Sequence, residues 1–337
     1  MKEYLDVFID EEYPTFLDKY LNTQSVSRLK GITQFCGCDY TNLYHPKFLY
    51  TRFDHSLVVA HMTWHFSKDK KETIAALLHD IGTPCFAHCI DYVFGDYINQ
   101  ESSEKKIADV IMYDEEIRGC LESDGIKIDE LSDFSTFNIL ENKSPKLCTD
   151  RLDGILHTCY IWLQTASIEE IREVYENLIV LQNEDGIPEI GFKNKEVAEK
   201  FVSMTYCYAK ELQGNRDKFV MGYISEIIKL AVKRNLVTLD DLYFKSESEI
   251  CNLFSSSFSS WKTFQNSTNI RECDEKPDCD FYISFDTKKR NAIPLVRTLN
   301  ATKRIDQLSH YSKKIFDELY RYHSKKYAFI NNIDKLE

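Results

Sequence analysis

Glycine and proline are scarce, with 11 Gly and 7 Pro in 337 residues. So few breakers argue against a many-stranded β fold and for long helices. Long apolar runs are missing too. No apolar stretch reaches the roughly 18 residues that mark a membrane helix, so no membrane span is expected. Excess positive charge is also lacking: 42 Lys and Arg stand against 54 Asp and Glu, a net charge of −12. Such a surface repels a phosphate backbone and disfavours general nucleic-acid binding. It leaves small nucleotides open, because a metal or a local cationic pocket overrides the net field. The opening residues MKEYLDVFID carry acids where a signal peptide would be apolar. The 11 Cys are odd in number and scattered. Free thiols in a reducing cytoplasm are the simplest reading. Cys36 and Cys38, like Cys273 and Cys279, lack a second ligand pair at zinc-finger spacing.

What the chain does have is a 43% share of hydrophobic residues, enough for a sizeable core. Apolar periodicity predicts helices over 54–67, 72–80, 145–164, 168–178 and 309–323, and two long ones within 195–235. Shorter helices are expected over 10–20, 25–35 and 87–94. Asp185-Gly186 is a turn pair, so 179–189 reads as a small hairpin. Strands are expected over 280–286 and 293–299. The serine-rich 254–260 and breaker-rich 266–280 stretches read as a mobile loop or a lobe boundary. The fold class is therefore all-α with a small β element in the C-terminal part. Two units are expected: a core over 1–190 and a mostly helical lobe over 191–337.

Three separated features fit one metal site. Arg52-Phe-Asp-His55 begins a helix, His79-Asp80 ends the next, and Asp150-Arg-Leu-Asp153 begins a later one. Two imidazoles and two carboxylates form a mixed nitrogen and oxygen donor set that suits Mn, Fe, Mg or Zn. Neighbouring helix residues point about 100° apart, so His79 and Asp80 share a target only at a helix end facing a cavity. The bland alternative is a capped helix end with a satisfied core histidine. Three such features in order argue against it. His61 and His65 stand four apart but lack a glutamate after the first, so the HExxH motif is absent. They read as helix-face residues, as does His157 four after Asp153. The run Lys288-Lys289-Arg290 reads as a solvated face.

The order H…HD…D resembles the HD superfamily of metal-dependent phosphohydrolases. The fit is strongest to its deoxynucleoside triphosphate triphosphohydrolase branch. That branch carries segments like RLR-x-I-x-QLG, RFEHSLG, LLHDIGHGPFSH and DADRLDY. Here they read Arg28-Leu-Lys-Gly-Ile-Thr-Gln34-Phe-Cys-Gly37, Arg52-Phe-Asp-His55-Ser-Leu57, Leu77-Leu-His79-Asp80-Ile-Gly-Thr83-Pro-Cys-Phe-Ala-His88 and Cys148-Thr-Asp150-Arg151-Leu-Asp153-Gly154. The resemblance is specific over about 25–155 and loose over 190–310. It implies a helical HD-domain bundle and a divalent ion on His55, His79, Asp80 and Asp150. It implies that Gln34 contacts the sugar, that Arg52 and Arg151 lie near phosphates, and that Asp153 belongs with them among the substrate-binding residues. It makes His88 a catalytic histidine oriented by Asp91 and Glu101, beside Asp80 in the catalytic set.

Four positions depart from the pattern. Thr83 and Gln100 stand where the branch has histidines, Gly154 replaces a tyrosine and Thr158 an acid. The expected activity is hydrolysis at the α-phosphorus, releasing a nucleoside and triphosphate. The alternatives are another nucleotide substrate (a monophosphate, a cyclic nucleotide or a dinucleotide) or a non-catalytic nucleotide sensor. The resemblance also implies a homo-oligomer.

Overall fold

A computed structural model describes all residues except 10, 11, 101–105, 132, 332, 334, 335 and 337. Helix α1 spans Lys2–Phe8. Helix α2, Arg52–Ser67, starts two residues before its expected Asp54, because Asp54 is the third residue of a capping box. Its Oδ2 accepts from the Thr51 amide at 2.9 Å, while Thr51 Oγ1 accepts from the Asp54 amide at 3.2 Å. Helix α3, Lys70–Leu78, is capped by Asp69, whose carboxylate accepts from the Glu72 amide at 2.9 Å. It buries every residue from Glu72 to Leu78. Only Lys68 and Asp69 link α2 to α3, so the two fold back as a helical hairpin.

Helix α4 is Cys89–Val93 and α5 is Thr149–His157, continuing through Thr158–Trp162 as a wider π turn. The expected start of α5 at Pro145 is too early, because Cys148 is still extended at the helix entrance. The expected hairpin forms as β1, Leu178–Gln182, and β2, Pro188–Phe192, with Gly186 turning at φ 73°. The two long helices are α6, Lys195–Leu212, and α7, Asn215–Lys233. Helices α8, Glu247–Ser257, and α9, Ser259–Asn266, occupy the serine-rich stretch expected to be mobile. There Phe254, Phe258, Trp261 and Phe264 recur at helical spacing and are all buried. Aromatic burial outweighs the weak helix preference of serine.

Strand β3 is Arg271–Cys273, β4 Leu295–Arg297, β5 Thr302–Arg304 and β6 Tyr327–Phe329, with α10, His310–Arg321, before the last. Of the strand expected over 280–286, only Ile283 makes a bridge, to Ala328. The chain is thus predominantly helical with a small mixed sheet, ordered β1-β2-β4-β5, and a separate β3-β6 pair. β2 runs antiparallel to β1 and parallel to β4. The expected division at 190/191 therefore cuts through a strand. The main core also spans it, joining Tyr4 and Phe8 of α1 with Leu156 of α5, Ile224 of α7 and Phe316 of α10. A second core lies under α3, from Ile74 to Leu78. No helix among the described residues is long and apolar enough to cross a membrane.

Candidate metal centre

The helical hairpin delivers the first half of the site. His55 lies in the opening turns of α2 and is 1% exposed. Because α3 stops at Leu78, His79 and Asp80 fall in the turn beyond it, where adjacent side chains can reach one cavity. Helix α5 delivers the rest. Asp150, Asp153 and His157 follow one another at helical spacing on one face. Asp150 sits in the first turn of α5, where the helix dipole favours a carboxylate.

Four atoms converge. His55 Nε2 lies 3.1 Å from Asp150 Oδ1 and 3.9 Å from Asp80 Oδ2. His79 Nε2 lies 3.6 Å from Asp150 Oδ1 and 3.7 Å from Asp80 Oδ2. Each imidazole is oriented from behind. His79 Nδ1 donates to Ala76 O at 2.7 Å, and His55 Nδ1 to Asp153 Oδ2 at 2.6 Å. Those bonds occupy both Nδ1 atoms and turn both Nε2 atoms toward the carboxylates, where each can ligate a cation once its own proton is lost. Among the described residues, His79 Nε2 is buried with no hydrogen-bond partner. An orphaned imidazole nitrogen between two carboxylates is costly unless a cation sits there. The donor set and this orphan both fit a divalent ion.

The charges agree. Burial opposes a charged His55, but its bonds to Asp150 and Asp153 prevail and push it up to about 10. Burial likewise disfavours ionised Asp80 and Asp150. The imidazoles, with Arg52 beside Asp80, outweigh it and hold both carboxyls below their usual range. Protons on His55 thus balance carboxylates that a metal would otherwise balance.

Asp153, expected among the substrate contacts, is fully buried behind His55. Its Oδ1 accepts from Tyr4 Oη at 2.6 Å. Its Oδ2 accepts from Tyr50 Oη at 3.0 Å and lies 3.2 Å from His157 Nδ1. Ringed by four partners, it is a brace for His55 and has no face toward a substrate. His55, Asp153 and His157 could by themselves hold a metal, but these atoms already satisfy one another.

Arg151, expected beside the phosphates, instead ties down the loop before α5. It donates to Asn142 Oδ1 and Asn142 O, both at 2.9 Å, and to Lys146 O. Arg52 does reach the site, with Nη1 2.8 Å from Asp80 Oδ2. Thr83, standing where a histidine was expected, donates to Asp80 Oδ1 at 3.0 Å. The Oε1 of Gln34 is buried without a partner among the described residues. His88 Nδ1 pairs with the fully buried Asp91 at 2.8 Å. Burial, with Arg290 and Arg52, outweighs Asp91 and lowers the His88 pKa. Glu101 lies outside the described residues.

Sequence reasoning missed Tyr4 and Tyr50, which carry no motif. It also misread Arg290. That guanidinium is half-buried, not part of a solvated run, and donates to Gln100 Oε1 at 2.5 Å. The signal available was Gln100 itself, an amide where the branch has a histidine.

No family model matches the chain. A crystal structure of a hypothetical protein from Aquifex aeolicus shares the fold, with a TM-score of 0.63 over 94% of this chain and 90% of that one. The two are 16% identical. The uncharacterized protein YdhJ of Bacillus subtilis (strain 168) is 30% identical over 243 residues, covering 72% of this chain and 71% of YdhJ. At that identity and coverage, this chain belongs to the same family as YdhJ.

Proposed function

We propose that this protein is a metal-dependent phosphohydrolase of the HD type, acting on a nucleotide phosphate ester, with deoxynucleoside triphosphates as the first substrate class to test. The observation that carries the reading is the convergence of His55 Nε2, His79 Nε2, Asp80 Oδ2 and Asp150 Oδ1, with the His79 nitrogen orphaned. An ion of Mn, Fe, Mg or Zn on these four residues would lower the pKa of a bound water and polarise a phosphoryl oxygen. Arg52 holds Asp80 and brings a guanidinium to offset charge on the phosphoryl group. His88, steadied by Asp91, exchanges a proton with the leaving oxygen. The unpartnered Oε1 of Gln34 accepts from a sugar hydroxyl.

A second reading, hydrolysis of another nucleotide ester, is favoured by Thr83, Gln100, Gly154 and Thr158, where residues typical of triphosphate hydrolysis are replaced. The test is turnover of dNTPs, NTPs, monophosphates and cyclic nucleotides with Mn²⁺, beside a His79→Ala/Asp80→Ala double variant. Triphosphate released from a dNTP, and lost in the variant, is the expected result. Turnover of a different ester would discard the triphosphohydrolase assignment. Metal binding without any turnover would favour a nucleotide sensor.

A further inference from the structure

Glu72 lies in the first turn of α3, where the helix dipole favours an acid. The dipole does not require burial, yet this residue is only 8% exposed. Its carboxylate reaches away from its own helix. Oε1 accepts from the amides of Ile139 at 2.8 Å and Leu140 at 3.1 Å, 67 and 68 positions along the chain. Both of those residues are buried as well. A buried carboxylate is costly unless hydrogen bonds meet it. Here the Leu140 and Ile139 amides are the strongest opposition to the upward push of burial on the Glu72 pKa.

The same two residues hold the start of α5 through their carbonyls. Ile139 O accepts from the Thr149 amide at 2.8 Å and from Thr149 Oγ1 at 3.2 Å. Leu140 O accepts from the Asp150 amide at 3.3 Å. The first amides of a helix have no partner within it, so the 139–140 segment takes two of them, one belonging to Asp150. The peptide joining Ile139 to Leu140 is planar and rigid, and it is gripped on both sides: Glu72 holds its N–H and Thr149 its C=O. About two turns of α3 separate Glu72 from His79 and Asp80. Helix α2 has its own tie to α5, with Thr63 Oγ1 2.8 Å from Thr149 Oγ1.

We propose that Glu72 is a positioning residue of the candidate metal centre: through the Ile139–Leu140 peptide its carboxylate fixes where Asp150 stands relative to His79 and Asp80, and so tunes affinity for the ion. The role rests on the metal-site reading for its use, but the placement of Asp150 can be measured without metal.

The experiment titrates the full chain with Mn²⁺ calorimetrically and follows amide exchange of the metal-free protein by mass spectrometry. In Glu72→Ala, Mn²⁺ affinity falls about tenfold, the low end of the loss for a partner that orients a metal ligand. Exchange rises in the segment that begins α5, residues 147–152, and stays unchanged in the opening turns of α2. Glu72→Gln keeps the Oε1 acceptor and restores most of both. Leu121→Ala, in the core under α3, is the control for lost stability: it lowers the unfolding midpoint and leaves Mn²⁺ affinity unchanged. Wild-type affinity in a folded Glu72→Ala protein overturns the proposal. So do equal losses in Glu72→Ala and Glu72→Gln, or in Glu72→Ala and Leu121→Ala. If Glu72→Ala does not fold, Glu72→Asp replaces it. That variant keeps the charge but falls one methylene short of the 139–140 amides, so weakened binding is expected and wild-type binding overturns the role. If the wild type binds no Mn²⁺, the metal-site reading falls and exchange alone decides: faster exchange over 147–152 in Glu72→Ala sustains the positioning, and unchanged exchange overturns it. Mn²⁺ affinity lost in Glu72→Ala, with no nucleotide turned over by the wild type, would sink the hydrolase and keep the positioning role.

Discussion

Around Asp153, two tyrosine hydroxyls and two imidazoles converge on a single carboxylate. Around Arg290, one neutral amide oxygen meets a whole guanidinium. The first stands behind a histidine of the candidate site, and the second on the loop before β4. The first is saturated, so it has nothing to offer a ligand and holds His55 in one orientation. The second is half-buried, so its remaining donors reach water, and the Asp217 carboxyl lies within its field. Satisfied buried networks confer rigidity, while partly exposed donors can be met by water. The contrast separates a side chain locked by its partners from one that keeps contact with water.

Removing the hub of the saturated side should have the largest effect. Asp153→Ala strands four buried partners, and its expected cost is about 3–5 kcal/mol, the range for breaking a buried charged pair. Loss of the group that orients a metal-ligating histidine typically lowers metal affinity by about 10–100-fold. Urea unfolding and a metal titration read the two effects. Undiminished metal affinity in a folded Asp153→Ala protein would show that His55 needs no brace.

On the open side, Asp217 is buried, and its carboxyl is pushed up to about 7 by burial and by Glu211, against the opposing pull of Arg290. An unfolded aspartate ionises near 3.8. A folded pKa above the unfolded one means stability falls as pH rises from about 4 to 7, then stays low. Asp217→Asn should remove that fall, gaining on the order of 2–4 kcal/mol at pH 8 and little at pH 4. Thermal melts of both proteins across this range check it. Parallel pH curves would show that the carboxyl is not disfavoured there.

The smallest effect sharpens the first. Tyr4→Phe removes one of the four partners of Asp153 and should cost about 1 kcal/mol. Metal affinity should fall far less than in Asp153→Ala. Equal losses in both variants would mean that Tyr4, and not the carboxylate, positions His55.

The four converging residues were legible because short motifs marked His55, His79-Asp80 and Asp150, and because α3 had to end where its apolar run stopped. Asp150 and Asp153 were harder. They share one face of α5, and spacing alone does not say which faces the cavity and which backs a histidine. Arg151 was misjudged for a related reason: its neighbour Asp150 turns inward, while its own donors find the 142–146 loop. Arg290 looked solvated because two lysines precede it, and only the contacts of its loop with Tyr97 and Asn99 turn it inward. The serine-rich stretch misled because composition was weighed above the aromatic spacing that buries Trp261. The division at 190/191 failed for want of any local sign that β2 pairs with a strand a hundred positions on.

Tyr4 and Asp153 stand 149 positions apart in the chain. Their contact is a long loop closure, and such closures repay their entropy only once the intervening helices have formed. During synthesis Tyr4 emerges early and waits for its acceptor. Refolding should therefore show any metal uptake at His55 lagging helix formation and reporting that α1 has docked.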